Sequence, residues 1–410
     1  GDRRRNYHSP TVRQSEIAYQ AKPQWEPHGE LADDPRAIWC KLYGLTKFAD
    51  LFTNRQLTAL TTFSDLVEEA EKQIVSDARN VGLSGDEVSL REGGTGAHAY
   101  AEAVTVYLAF AVDRGANYWS NLTMWVNFIV QTFSRQALPM IWDFSEANTF
   151  SNSSGNWEGA LTWIEKCLRR SISAFKTGHA RQQDATKSFE DLKGVPISTD
   201  PPYYGNIGYA DLSDFFYIWM RRNLQRIYPR NFDTLLVPKA SELIASPYRH
   251  AGNGKAAEEH FETGLMTAFR NMKAVIPPEY PLTLFYAFKQ SDIVSEEGTA
   301  STGWETMLIG LIEAGYSIVG TWPMRTERSE GLKTGSNVLA SSIVLVCRPR
   351  VESAEMTSRR EFIRALRSEV PKPLREIEAA HIAPVDLAQA SIGPAVAVSR
   401  LYRMVLHPSG

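Results

Sequence analysis

Apolar residues recur at helical spacing through the first half of the chain and gather into short continuous runs in the second half. Leu57, Leu60, Phe63, Ser64, Val67 and Ala70 share one face of a 3.6-residue repeat, and Thr53 stands where an N-cap belongs. Further helices are expected from about His98 to Asp113, from Trp119 to Thr132, and over Trp157–Arg169, Leu212–Leu224 and Glu258–Lys273. The run Val195-Pro196-Ile197 predicts a buried strand ending at Thr199, and Leu282–Lys289 predicts another. A helix from Gly303 through Ala314 is stopped by Gly315, and two strands follow, Tyr316–Trp322 and Val338–Cys347. Thr357–Ala380 reads as a helix carrying Arg359, Arg360, Arg364 and Arg367 on its outside. The class is α/β, with residues 1–34 as an extended arm, 35–170 mostly helical, 171–350 a strand-bearing core, and 351–410 a helical extension.

Composition narrows the function classes. The chain has 410 residues, 43% hydrophobic and 22% charged, which suits a globular protein. A net charge of -3 carries no global nucleic-acid signature, so any DNA affinity must come from local basic surface. Arg3-Arg4-Arg5 is read as a solvated terminus, with phosphate contact as the alternative. Cys40, Cys167 and Cys347 lie far apart without metal-ligand spacing, which implies a reducing, cytoplasmic setting and no zinc site. No apolar run reaches membrane-spanning length and no signal peptide is visible, so no membrane partner is expected. The start at Gly1 followed by Asp2-Arg3-Arg4-Arg5 reads like the middle of something, a fragment or a processed or tagged chain.

The chemistry concentrates after Thr199, in Asp200-Pro201-Pro202-Tyr203-Tyr204-Gly205-Asn206. The carboxyl end of a strand is where open α/β sheets bind ligands. Two prolines stiffen the loop and remove N–H donors, so a carboxylate and carbonyl oxygens can face outward beside a flat ring. An acceptor-only cradle next to a tyrosine suits the NH2 group of a planar base, the amine hydrogens going to oxygen while the ring stacks.

Asp200-Pro201-Pro202-Tyr203 resembles the catalytic loop of S-adenosylmethionine-dependent DNA amino-methyltransferases. The longer run through Asn206-Ile207-Gly208-Tyr209-Ala210-Asp211-Leu212-Ser213-Asp214-Phe215-Phe216 is similar to the large adenine-specific DNA methylase-like proteins found with prokaryotic anti-phage defence genes, a likeness reaching from about Trp25 to Ile392. The resemblance implies a Rossmann-like methyltransferase sheet, complete or partial, ending in an antiparallel hairpin. It implies Asp200, Pro201, Pro202 and Tyr203 as catalytic residues, with Thr199 and Asp200 also near the cofactor. Asp184-Ala185 fits the place where an acidic residue and a small one end a strand beside the cofactor adenine; a helix N-cap is the alternative. Phe52-Thr53-Asn54 is a weak echo of a Phe-Thr-Pro helix start packed on the cofactor, and a plain cap reads better.

DNA is the expected partner, with Tyr204, Asn206, Arg325 and Lys333 as contacts; the last two lie in the basic loop between the final strands. The glycine-rich turn that such enzymes use for the methionine end of S-adenosylmethionine follows no strand here. A second polypeptide or an N-terminal half is expected to carry it. Gly93-Gly94-Thr95-Gly96 is read instead as a flexible linker, with phosphate cradling as the alternative. The amide- and hydroxyl-rich loop from Glu146 to Trp157 suits either a nucleotide contact or a surface loop capping the next helix. Asp211 and Asp214 read as structural first-turn residues, and His250 has no clear role.

Overall fold

The computed structural model describes residues 7–171, 178–205, 207–286, 302–324, 342–350, 355–372, 375, 398 and 402–406. In chain order its elements begin with α1 (Val12–Gln20), α2 (Asn54–Asn80), α3 (Ala97–Tyr118), β1 (Met124–Trp125), β2 (Ile129–Val130) and α4 (Trp157–Ser171). Then come β3 (Ser198–Thr199), α5 (Tyr209–Leu224), α6 (Gly254–Val275), β4 (Leu282–Tyr286) and α7 (Thr302–Glu313). The series closes with β5 (Tyr316–Met324), β6 (Ser342–Pro349), β7 (Glu355–Ser358), α8 (Arg359–Glu369) and β8 (Tyr402–Leu406). The chain forms two compact units, Gly1–Gln182 with Gly208–Glu242, and Gln183–Ile207 with Leu243–Gly410. The division falls at 182/183 rather than near 170, and α5 belongs to the helical unit rather than to the strand-bearing one. Among the described residues no helix is long and apolar enough to cross a membrane.

In the first unit α3 packs against α2, α4 and α5. Thr53 caps α2 as its position predicts: its hydroxyl accepts from the Gln56 N–H at 3.3 Å while the Gln56 side chain accepts from the Thr53 N–H at 2.8 Å. Leu57, Leu60, Phe63, Ser64 and Val67 are buried along one face, with Ala70 half-buried. Glu71 on that helix is buried too, and accepts from the Thr105 hydroxyl of α3 at 2.8 Å and from Arg226 beyond α5, so one carboxylate ties three segments. Phe215 and Trp219 of α5 meet Phe52 in stacked and edge-on geometry, 5.6 and 5.5 Å between centroids. Asp214, 1% exposed, accepts from the Val237 N–H and from Lys239, and burial pushes its carboxyl up against the opposing pull of Lys239. Asp211 is equally buried, so both aspartates sit in the packing of α5.

Three expectations change in this unit. The arm is not extended throughout, because Thr11 and Gln14 form a capping box that starts α1. Trp119–Thr132 is not a helix: α3 ends at Tyr118, and the short hairpin β1–β2 follows. There the side chains compete with the helical backbone, the Ser120 and Thr132 hydroxyls bonding each other at 2.7 Å and Thr123 donating to the Ser145 carbonyl at 2.6 Å. Gly93–Gly96 is a packed turn rather than a linker, with the Gly94 N–H on the Ser89 carbonyl and the Ala97 N–H on the Ser84 carbonyl.

The second unit holds a four-stranded sheet of order β3-β4-β6-β5. β3 pairs parallel to β4, and β6 lies antiparallel to both β4 and β5, so β3, β4 and β5 run the same way with β6 reversed between the last two. The β5–β6 pair is the expected hairpin, and its strands begin and end within a few residues of the predicted bounds. Leu282, Leu284, Tyr286, Tyr316, Ile318, Leu345 and Cys347 form its buried core with Phe261, Leu265 and Phe269 of α6 and Met307 and Leu311 of α7. The molecule is therefore mixed α/β with an antiparallel hairpin. Beyond the sheet, β7 replaces the start of the helix expected from Thr357 and pairs with β8. The four arginines of α8 are exposed as predicted.

Candidate functional site at the end of strand β3

β3 is short, and what fixes it is its neighbour: Ser198 and Thr199 register with Thr283 and Leu284 of β4, and the Thr283 N–H donates to the Ile197 carbonyl at 3.0 Å. Asp200 is the next residue, exposed, at the carboxyl end of the strand. Pro201 is buried and Pro202 half-buried, so the prolines root the loop while the carboxylate stays accessible. Among the described residues neither the Asp200 carboxylate nor the Pro201 carbonyl accepts a hydrogen bond, whereas the Pro202 carbonyl takes the Tyr204 N–H at 3.0 Å.

Tyr203 is half-buried, its ring edge-on to Tyr286 of β4 with centroids 5.4 Å apart. Tyr204 is held from several sides. Its φ is +52°, a left-handed conformation that costs a residue with a Cβ. Its carbonyl accepts from the Ala245 N–H at 3.2 Å, its hydroxyl donates to Glu258 at 3.1 Å, and its ring lies edge-on to Phe261 at 5.2 Å. Burial, then Glu258, pushes the Tyr204 phenol pKa up. The side chain expected to touch DNA thus points its hydroxyl at α6 and serves the packing of the loop.

The other candidates are dispersed. Thr199 lies in β3. Asp184 follows no strand among the described residues and starts a turn, its Oδ1 accepting from the Thr186 N–H at 2.8 Å and from the Thr186 hydroxyl at 2.7 Å. That hydroxyl, more than the backbone N–H, holds the Asp184 carboxyl below its usual range. The Ala185 carbonyl accepts from Asn271 at 3.2 Å. Neither residue caps a helix; both are spent inside a surface turn anchored to α6. Asn206, Arg325 and Lys333 lie outside the described residues. His250 lies tilted against His260, 5.2 Å between ring centroids. Among the described residues no cluster of histidine, cysteine and acidic side chains is arranged to hold a metal.

Sequence reading missed Glu258, Tyr286 and Gly303, which set the loop's shape. A Cβ on Gly303 would lie 2.8 Å from the Tyr204 Cβ and 3.2 Å from the Tyr286 hydroxyl, so α7 approaches the loop only because that residue is glycine. In sequence it reads as one more helix-opening residue. No protein-family model, curated protein or solved structure matches the chain.

Proposed function

We propose that the chain is the base-holding part of an S-adenosylmethionine-dependent DNA amino-methyltransferase, adenine N6 by resemblance, in a restriction or phage-defence setting in the cytoplasm. The observation that carries the reading is the placement of Asp200-Pro201-Pro202-Tyr203 directly after a parallel strand, with an exposed carboxylate and a carbonyl that accepts no hydrogen bond among the described residues. The strand order lends support: three parallel strands with a reversed strand between the last two is what a Rossmann-like methyltransferase sheet would present from its catalytic strand to its hairpin edge.

In this reading a base leaves the duplex and lies against Tyr203. Asp200 and the Pro201 carbonyl accept the two hydrogens of the exocyclic amine, which turns the nitrogen lone pair out of conjugation with the ring. The prolines hold these acceptors in place before the base arrives, so little reorganisation is needed at the reacting nitrogen. The cofactor supplies an already electrophilic methyl group. Of the two residues expected beside the cofactor adenine, Asp184 commits its Oδ1 within its own turn and the Ala185 carbonyl accepts from Asn271 of α6. We place the methionine end on a glycine-rich turn carried by a second polypeptide or an N-terminal half.

That same commitment of Asp184 and Ala185 favours one second reading, a DNA-binding or scaffold subunit that keeps the loop without transferring methyl groups. An RNA or protein methyltransferase is separated from both by the substrate labelled. The test is transfer of radiolabelled methyl groups to plasmid DNA, RNA and protein. Label in DNA that disappears in Asp200→Ala supports the proposal. No label in any of the three with retained salt-sensitive DNA binding selects the scaffold reading, and label in RNA or protein alone overturns the DNA assignment.

A further inference from the structure

A second site lies wholly within the helical unit, between the last turns of α3, the loop before α4 and the first turns of α4. A cavity of about 240 Å³ opens there, walled by Arg114 and Tyr118 of α3 and Trp163 of α4, with Ser153, Ser154 and Asn156 from the loop. Among the described residues no acidic side chain lines it.

The walls are built rather than incidental. The Trp119 indole N–H donates to the Gly155 carbonyl at 2.6 Å and pins the loop onto α3. Gly155 has φ +84°, and a Cβ there would lie 3.1 Å from the Tyr118 Cβ, so the loop reaches this close only through glycine. Asn156 accepts from the Gly159 N–H at 2.8 Å and donates to the Ser151 carbonyl at 2.5 Å, fixing both the loop and the start of α4. Trp157 stacks on Phe63 of α2 with centroids 4.3 Å apart. A pocket whose walls are already held loses little freedom when it fills.

Its charge is the informative part. The Arg114 guanidinium stands 5.5 Å from the Tyr118 ring centroid and 5.3 Å from that of Trp163, and Lys166 stands 5.4 Å from the same indole. Ring faces stabilise a cation but leave its in-plane N–H donors without acceptors. Among the described residues Arg114 has no carboxylate or carbonyl partner, although it is half-buried. Glu165, the nearest acid in sequence to Lys166, is engaged by Arg169. A half-buried fork of donors with no protein acceptor, two neighbouring hydroxyls and a half-exposed indole is complementary to a group that is anionic at one end and flat at the other. The volume falls below the roughly 300 Å³ at which sites for drug-sized ligands begin, so the site takes no more than one nucleotide, part of which stays outside the cavity.

We propose that this cavity binds a single nucleotide unit, its phosphate on Arg114 and the serine hydroxyls and its base on Trp163. A free mononucleotide and one residue of a nucleic-acid strand present the same chemistry, and the site would serve either. The inference is independent of methyl transfer at the end of β3.

The test is calorimetric titration of the full chain with adenosine 5′-monophosphate, a short oligodeoxyadenylate, inorganic phosphate and adenosine. The monophosphate should bind about tenfold or more tighter than either phosphate or adenosine alone. Arg114→Gln should abolish its advantage over adenosine, Trp163→Leu its advantage over phosphate, and Arg114→Lys should restore part of the first, with melting curves checking the fold. Tighter binding of the oligonucleotide than of the monophosphate assigns the site to a strand, and the reverse to a free nucleotide. Adenosine binding as well as its monophosphate, monophosphate binding unchanged in a folded Arg114→Gln, or no saturable binding of the monophosphate and the oligonucleotide overturns the proposal.

Discussion

Gly303 of α7 packs its backbone against the side chain of Tyr204 in the strand-end loop: a Cβ on the glycine would stand 2.8 Å from the tyrosine Cβ and 3.1 Å from its Cγ. The helix thus limits where the loop can go, and the loop limits what the helix can carry. Gly303→Ala should destabilise the chain by about 1–3 kcal/mol through overpacking, read from urea midpoints. In a Tyr204→Gly background the same change should cost much less, because the clashing atoms are gone. Equal costs in the two backgrounds would mean that the contact does not restrain the loop.

Tyr204 is tied to α6 through its hydroxyl. A double-mutant cycle with Tyr204→Phe and Glu258→Ala should give a coupling of about 0.5–1.5 kcal/mol, the range of a net hydrogen bond. A coupling near zero would show that the Ala245 N–H on its carbonyl, ring packing on Phe261 and the approach of Gly303 hold the tyrosine without its hydroxyl.

Asp113 of α3 is half-buried, with Oδ1 sealed and bonded to nothing among the described residues, and burial raises its carboxyl pKa well above the usual range. A raised folded-state pKa gives stability that is complete below the unfolded value of about 3.9 and is lost as pH rises through the folded value. Asp113→Asn removes that titration. Its stability relative to wild type should therefore grow as pH rises above about 3.9, measured as a difference in urea midpoints. A pH-independent difference would place the carboxylate in contact with water.

The three thiols should differ in reactivity. Cys40 and Cys347 are buried, and burial pushes their pKa values up to about 11 and about 12, whereas Cys167 on α4 is exposed. A maleimide counted by mass spectrometry should label Cys167 in the native protein and all three cysteines in denaturant. Native labelling of Cys347 would contradict the packing of β6.

Elements whose signals are local were legible in the sequence. The Thr53 N-cap, the stop at Gly315 and the apolar runs of β4, β5 and β6 each announce themselves within a few residues. Signals that depend on partners far along the chain were not. The polar side chains at Ser120, Thr123 and Thr132 override the helical pattern through bonds that no window shows. Asp184 fits a strand end only through the resemblance, and the position of Thr186 relative to its carboxylate makes it a turn. At the site, residue chemistry marked Asp200-Pro201-Pro202-Tyr203, but the restraints imposed on Tyr204 by Glu258 and Gly303 arise from packing over 54 and 99 positions of sequence, 258 − 204 and 303 − 204.

The central claim is that the exposed Asp200 and the stiff loop behind it hold the exocyclic amine of a DNA base. Its most direct test is mass-spectrometric analysis of nucleosides from plasmid DNA incubated with S-adenosylmethionine and the protein together with whatever copurifies with it. N6-methyladenine formed by wild type and lost in both Asp200→Ala and Tyr203→Ala, each with unchanged melting behaviour, is the predicted result. Undiminished methylation by Asp200→Ala would contradict it.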